Sequence, residues 1–188
     1  MKIDLRRLIL FLALASLLLT LTNSLFASFR VQKTSLIEGT LEGNHAYATK
    51  IASSVQELLG SAQQQLQYSA KVLSTQLQDP NFVEAEAKRV QQQTDTFNSV
   101  VIADETGLVL ATDPNLGLQG QTLSSEGSIL ARQVRAPLIS PPFVAQTGRL
   151  LITISHPIFD NSNVYRGYIS GTIYLQQASI LSHMLGNL

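Results

Sequence analysis

From Leu8 to Phe29 the chain carries no charged residue, and Leu8–Phe26 is almost wholly Leu, Ile, Phe, Ala and Ser. A helix of about 20 such residues crosses the hydrocarbon core of a bilayer. Lys2, Arg6 and Arg7 precede it against a single Asp4, an excess of positive charge that predicts a cytoplasmic amino end and an exported chain from Arg30 onward. A secretory signal peptide shares the basic start, but its apolar core runs about 7–15 residues and its cleavage site needs small residues. Here NSLFAS at Asn23–Ser28 offers Ala27 with the large Leu25 two places before it. Residues 1–29 are therefore expected to be a cytoplasmic start and an uncleaved transmembrane anchor.

Residues 30–78 read as one long helix, a stalk that becomes a spine. Ala48, Ala52, Val55, Leu59, Ala62, Leu66, Ser69, Leu73 and Gln76 alternate four and three apart, with Leu58, Ala70 and Leu77 widening the seam. Gly39, Gly43 and Gly60 each weaken it by about 1 kcal/mol relative to Ala, and the first proline is Pro80. The pattern is firmest over Ala46–Gln78, and a helix from the membrane to Gln78 would reach some 70 Å at about 1.5 Å per residue. The wide apolar face of Ala62–Leu77 suits packing on the protein's own sheet. Val31–Ile51 leaves the membrane before any domain exists to pack on, so this part is expected to pair with a second copy in a homodimer.

Asp79 is a predicted N-cap and Pro80 a first helical residue, opening an amphipathic helix through Phe82, Val83, Ala87 and Val90. After Phe97 the period changes to that of strands. Ser99–Ala103 and Leu108–Ala111 flank the turn Asp104-Glu105-Thr106-Gly107, which predicts a hairpin. Ser124 or Ser125 is expected to cap a short helix over Ile129–Val134, and Pro137, Pro141 and Pro142 keep the next connection extended. Leu150–Ile158 and Tyr165–Leu175 are further strands around the turn 160–163, and Gln176–Leu185 is expected to close as a helix. The fold class is α+β, an antiparallel sheet with helices packed on one face. Residues 79–176 form the expected sheet module and 177–188 its exit helix.

Lys plus Arg equals Asp plus Glu at 13 each, without a basic stripe, which argues against nucleic acid as a partner. No cysteine is present, which excludes disulfides and thiol chemistry. His45, His156 and His183 are too scattered for a metal motif, and neither a phosphate-binding glycine loop nor a G-x-S-x-G turn occurs. His156 reads as structural, and Asp104 and Glu105 as turn residues. No catalytic residue, metal ligand or cofactor is expected.

The motifs Val100–Asp104 through Gly107 to Ala111-Thr112-Asp113-Pro114, Ile139-Ser140-Pro141-Pro142-Phe143, Thr153–Phe159 and Arg166–Ile173 resemble, in order and spacing, the Cache sensor domain. The resemblance covers about Val31 to Leu185. It implies a PAS-like sheet outside the bacterial inner membrane, in the periplasm, preceded by a transmembrane and a long exported helix. The chain is similar to the membrane-distal first module of a tandem pair, so a second module and a cytoplasmic output domain are expected beyond Leu188. Gly167–Leu185 is most similar to the sensor halves of membrane-bound diguanylate cyclases, which make cyclic-di-GMP, then to chemoreceptors and histidine kinases.

The resemblance also implies a small-molecule pocket between the sheet and its cover. Arg132 and Arg135 on the covering helix, Phe143, Ser155, Tyr168, Ser170 and Thr172 are the candidate ligand-binding residues. An arginine there holds a carboxylate in a bidentate fork. Amino-acid-sensing relatives place Trp and Tyr on the covering helix, Tyr after the proline loop and Asp in the last strand. This chain has no Trp, with Phe143 and Thr172 at the latter two positions. A hydroxyl does not neutralise a desolvated ammonium, so a carboxylate is expected over an α-amino acid. A ligand-free dimerisation or protein-interaction module is the alternative, which a solid core in place of the pocket would favour.

Overall fold

The structure is a computed structural model that describes residues 5–93, 95–145 and 148–175. It divides into two compact units, Met1–Ala52 and Ser53–Leu188. Helix α1 spans Leu5–Leu73. In the first unit its stretch Leu8–Lys33, 26 residues, is long and apolar enough to cross a membrane. Thr20 and Thr22 return their hydroxyl protons to carbonyls one turn back, at Ser16 and Leu18, so this stretch shows few free donors. Val31, Leu36, Leu41 and Tyr47 are exposed farther along.

In the second unit the seam of α1 becomes progressively buried. Val55 and Leu59 are half-buried, and Ala62, Leu66, Ser69 and Leu73 are buried. The helix stops at Leu73 rather than Gln78. Turn bonds from Gln76 N–H to Leu73 O and from Asp79 N–H to Gln76 O carry the chain on, and Gln76 faces solvent. Helix α2, Pro80–Gln93, starts as the sequence predicts, with Asp79 Oδ1 accepting the N–H groups of Asn81 and Phe82 at 3.0 and 3.4 Å. It runs back along α1, burying Val83, Ala87 and Val90 in one cluster with Leu66 and Leu73.

Glu86 of α2 is buried too, a carboxylate the sequence pattern does not single out. Arg89, one turn on, grips both of its oxygens, with Nε to Oε2 at 2.8 Å and Nη2 to Oε1 at 2.6 Å. Nη2 also donates to Ser69 Oγ of α1 at 2.9 Å, and Nη1 to Gln93 Oε1 at 2.6 Å. The two helices are thereby tied by a charged cluster as well as an apolar one.

The sheet has six strands: β1 Ser99–Asp104, β2 Val109–Asp113, β3 Leu138–Ile139, β4 Phe143–Val144, β5 Leu150–Phe159 and β6 Tyr165–Tyr174. Their order is β2-β1-β6-β5-β3, with β4 also paired to β5, and every pairing is antiparallel. The proline-rich connection thus contributes two short strands that the sequence suggests only as extended chain. Helix α3 is Glu126–Val134, beginning three residues earlier than predicted. The predicted closing helix Gln176–Leu185 lies outside the described residues.

Strand alternation gives the sheet two chemically different faces. Val100, Ile102, Ile152, Ile154, Ile158, Ile169 and Ile173 join Leu66, Leu73 and the α2 residues in the main core. The intervening residues face the other way, under α3 and the loop before it. Their registers set Ser99, Thr172 and Thr153 in one row across β1, β6 and β5, with Val101, Ser170 and Ser155 in the next.

Candidate functional site

Against that second face lies a cavity of about 80 Å³. A cavity needs roughly 10–15 Å³ of probe-occupied volume for one water, so this one admits a small organic molecule. Ser99 and Val101 of β1, Leu151 and Thr153 of β5, and Tyr168, Ser170, Thr172 and Tyr174 of β6 form its floor. Phe143 and Ala145 close one side, and Leu116, Leu118, Leu123, Ser125 and Ser128 the top. Ser125 is the N-cap of α3 by backbone, its carbonyl accepting Ile129 N–H, while its side chain makes no capping bond.

Gly127 sets how close the cover sits. A Cβ there would meet Thr153 Oγ1 at 2.5 Å and the Phe143 ring at 2.8 Å, so only the bare backbone of α3 fits over these residues. The cover is fastened by a buried relay. Ser128 Oγ and the Tyr168 hydroxyl share a hydrogen bond of 2.6 Å, and Ser128 Oγ also lies 3.3 Å from Leu123 O. Thr153 is satisfied through its backbone only. Its N–H donates to Ser140 Oγ and its carbonyl accepts Ser140 N–H, while Oγ1 is buried with no hydrogen-bond partner among the described residues.

Four of the seven predicted ligand-binding residues, Phe143, Tyr168, Ser170 and Thr172, line the cavity. The other three stand elsewhere. Arg132 donates to three backbone carbonyls, Thr106 at 2.6 Å, Leu123 at 3.2 Å and Ser128 at 3.4 Å, and so buckles the β1–β2 turn and the covering loop to α3. Arg135 is exposed at the end of α3, in left-handed geometry with φ of 49°, its guanidinium 4.8 Å from the Tyr165 ring centroid. Ser155 donates to Ser170 Oγ at 3.3 Å, behind the wall. The guanidinium on which a carboxylate preference rests is therefore absent from the wall among the described residues. Ser99, Ser125, Ser128, Thr153 and Tyr174 enter the lining unannounced, although Thr153 and Tyr174 keep the two-residue period of Ser155 and Thr172. Asp104 spends Oδ1 on Thr106 and Leu108 within its turn, as the sequence suggests. His156 Nδ1 lies 3.1 Å from the carbonyl of Pro157. No cluster of three or more metal-ligating side chains occurs among the described residues.

Burial raises the pKa of Tyr168, opposed by its bond to Ser128 and by nearby Arg132. Burial likewise pushes Tyr165 up to about 12, with the charge of Tyr168 adding to it. A tyrosine held neutral in the folded state contributes stability that is complete below its unfolded value of about 10 and lost as pH rises toward the folded value. Urea midpoints are therefore expected to be level up to pH 9 and to fall between pH 10 and 12. Tyr165→Phe is expected to remove part of the fall, and an unchanged alkaline slope in that variant would assign it to other groups.

No protein-family model matches the sequence, and no curated protein matches it. Solved structures do match in fold. An extracellular ligand-binding receptor from Desulfohalobium retbaense superposes with a TM-score of 0.64 at 19% identity, over 74% of this chain and 25% of that one. The ligand-binding domain of the Pseudomonas aeruginosa amino acid chemoreceptor PctB, in complex with L-Gln, gives 0.61 at 18%, over 77% and 58%. The Escherichia coli DcuS sensor domain gives 0.51 at 16%, over 69% and 96%. The chain thus spans a quarter of the first and somewhat over half of the second. At these identities the likeness is one of fold, shared with these extracellular ligand-binding and sensor domains.

Proposed function

We propose that this chain is the extracytoplasmic small-molecule sensor part of a membrane-bound signalling protein. The cavity under α3 carries the reading, because it is where the sheet's polar face, its cover and a ligand-sized space coincide. The reading of a ligand-free module expected a solid core at that place. α1 supplies the remaining support, since one helix contains both the candidate span and the seam that packs on the sheet's apolar face. A ligand can shift such an element only by binding its two arrangements unequally.

The proposed placement is the bacterial inner membrane, Met1 inside and the sensor in the periplasm, with Lys2, Arg6 and Arg7 as its support. A homodimer through Val31–Ile51 is supported by the exposure of Val31, Leu36, Leu41 and Tyr47. The proposed output is a diguanylate cyclase beyond Leu188, with a chemoreceptor or histidine kinase as the alternative; the wording of Gly167–Leu185 supports the first. Residues 1–29, 30–78, 79–176 and 177–188 are the proposed anchor, stalk, sensor module and exit. A reporter that works only after export, fused after Leu188, is expected to be active. Activity from a cytoplasm-only reporter at that site would reverse the topology.

A further inference from the structure

Among the described residues, eight hydroxyl side chains and seven hydrocarbon ones line the cavity, and no carboxylate, ammonium, guanidinium or imidazole. From this wall we infer that the cavity selects an uncharged ligand with an apolar body and hydroxyl groups. The inference rests on the sensor reading above and deepens it.

Two observations lead there. The first is the cost of charge. An ion moved into this space leaves water without a counter-ion at the wall, and an unpaired buried charge is far more unfavourable than an unpaired hydroxyl. The Arg132 guanidinium, which bears on Tyr168 of the wall, is already committed to the carbonyls of Thr106, Leu123 and Ser128, and releasing it would unfasten the cover. A zwitterion and a carboxylate are both selected against. The second is the complement of groups. Each hydroxyl both donates and accepts, and a ligand hydroxyl is the partner that uses both capacities at once. Within the wall, Tyr168 and Ser128 bond each other, and Ser99 of β1 stands beside Thr172 of β6 on the floor.

The test holds the apolar body constant and varies the charge. Full-length protein in detergent micelles is titrated with cyclohexane-1,2-diol, cyclohexanecarboxylate, cyclohexylamine and L-leucine, with saturation-transfer NMR reading contact and Tm reading stabilisation. The diol is expected to bind at least roughly tenfold more tightly than each charged probe, a difference of about 1.4 kcal/mol. Equal or tighter binding of the carboxylate, the amine or leucine would overturn the uncharged class and leave the sensor reading standing. Silence from all four probes would overturn the inference and the sensor reading together.

Discussion

Gly167→Ala is expected to be the most destabilising single methyl that can be added to this chain. Gly167 lies opposite Asp104 in the β1–β6 ladder with φ of 144°, a conformation that L side chains rarely adopt. A Cβ there would overlap the carbonyl oxygen of Ala103 and come within 2.8 Å of Asp104 Cα. Both obstacles are backbone in a paired strand, so neither yields by turning a side chain. Overpacking costs roughly 1–3 kcal/mol and the backbone strain about 1–3 more, and the expected loss is their sum. Gly148→Ala is the control, since Gly148 also has a positive φ, 75°, but open space where the Cβ would go. Urea denaturation followed by tyrosine emission separates them, and a Gly167→Ala loss no larger than that of Gly148→Ala would show that the strands part at no cost.

Arg89→Ala is the second large effect expected. Glu86 is 5% exposed, and without Arg89 its carboxylate faces Ser69 and the α1–α2 seam with no positive charge to compensate. Breaking a buried pair from one side costs about 3–5 kcal/mol. The expected figure is near 3, because the Arg89 side chain is itself 38% exposed and water replaces part of what is lost. Adding Glu86→Gln to Arg89→Ala is expected to restore a good part of the loss, since a neutral amide tolerates that environment. A loss below roughly 1 kcal/mol for Arg89→Ala would class the pair with ordinary surface ion pairs.

The elements that the sequence revealed most clearly are those whose signal is local. Pro80 behind Asp79 opens α2 at the expected residue, and the β-branched runs at Ser99–Ala103 and Leu150–Ile158 pair as strands. The end of α1 was less legible, because Leu77 continues the apolar period and still packs against the core although the chain beyond Leu73 has left the helix for turns. Arg132 and Arg135 show the limit for the site. Their place on α3 is readable, but the direction of a long side chain is decided by which acceptors surround it, and the carbonyls of Thr106 and Leu123 come from distant turns. Glu86 was hidden for the converse reason, since a carboxylate in a polar-looking helix betrays its burial only through the partner three residues on. The hydroxyl row was in plain view as a period of two, from Tyr168 to Tyr174 and from Thr153 to Ser155.

That alternation has a consequence for how the chain finds and keeps its register. A slip of β6 by a single residue would turn Tyr168, Ser170 and Thr172 onto Leu66 and the α2 helix, and push Ile169 and Ile173 toward Ser128 and the cover. Such a slip leaves several hydroxyls without partners in a hydrocarbon core, so the misthreaded sheet is rejected by the same oxygen atoms that face the cavity. The polar wall is then an error-correcting code as well as a binding surface. Lineages that exchange these hydroxyls for hydrocarbon, one by one, would acquire a greasier cavity and lose the penalty that forbids misthreading. The chemistry open to this cavity is thus bounded by what the sheet needs in order to assemble in one way.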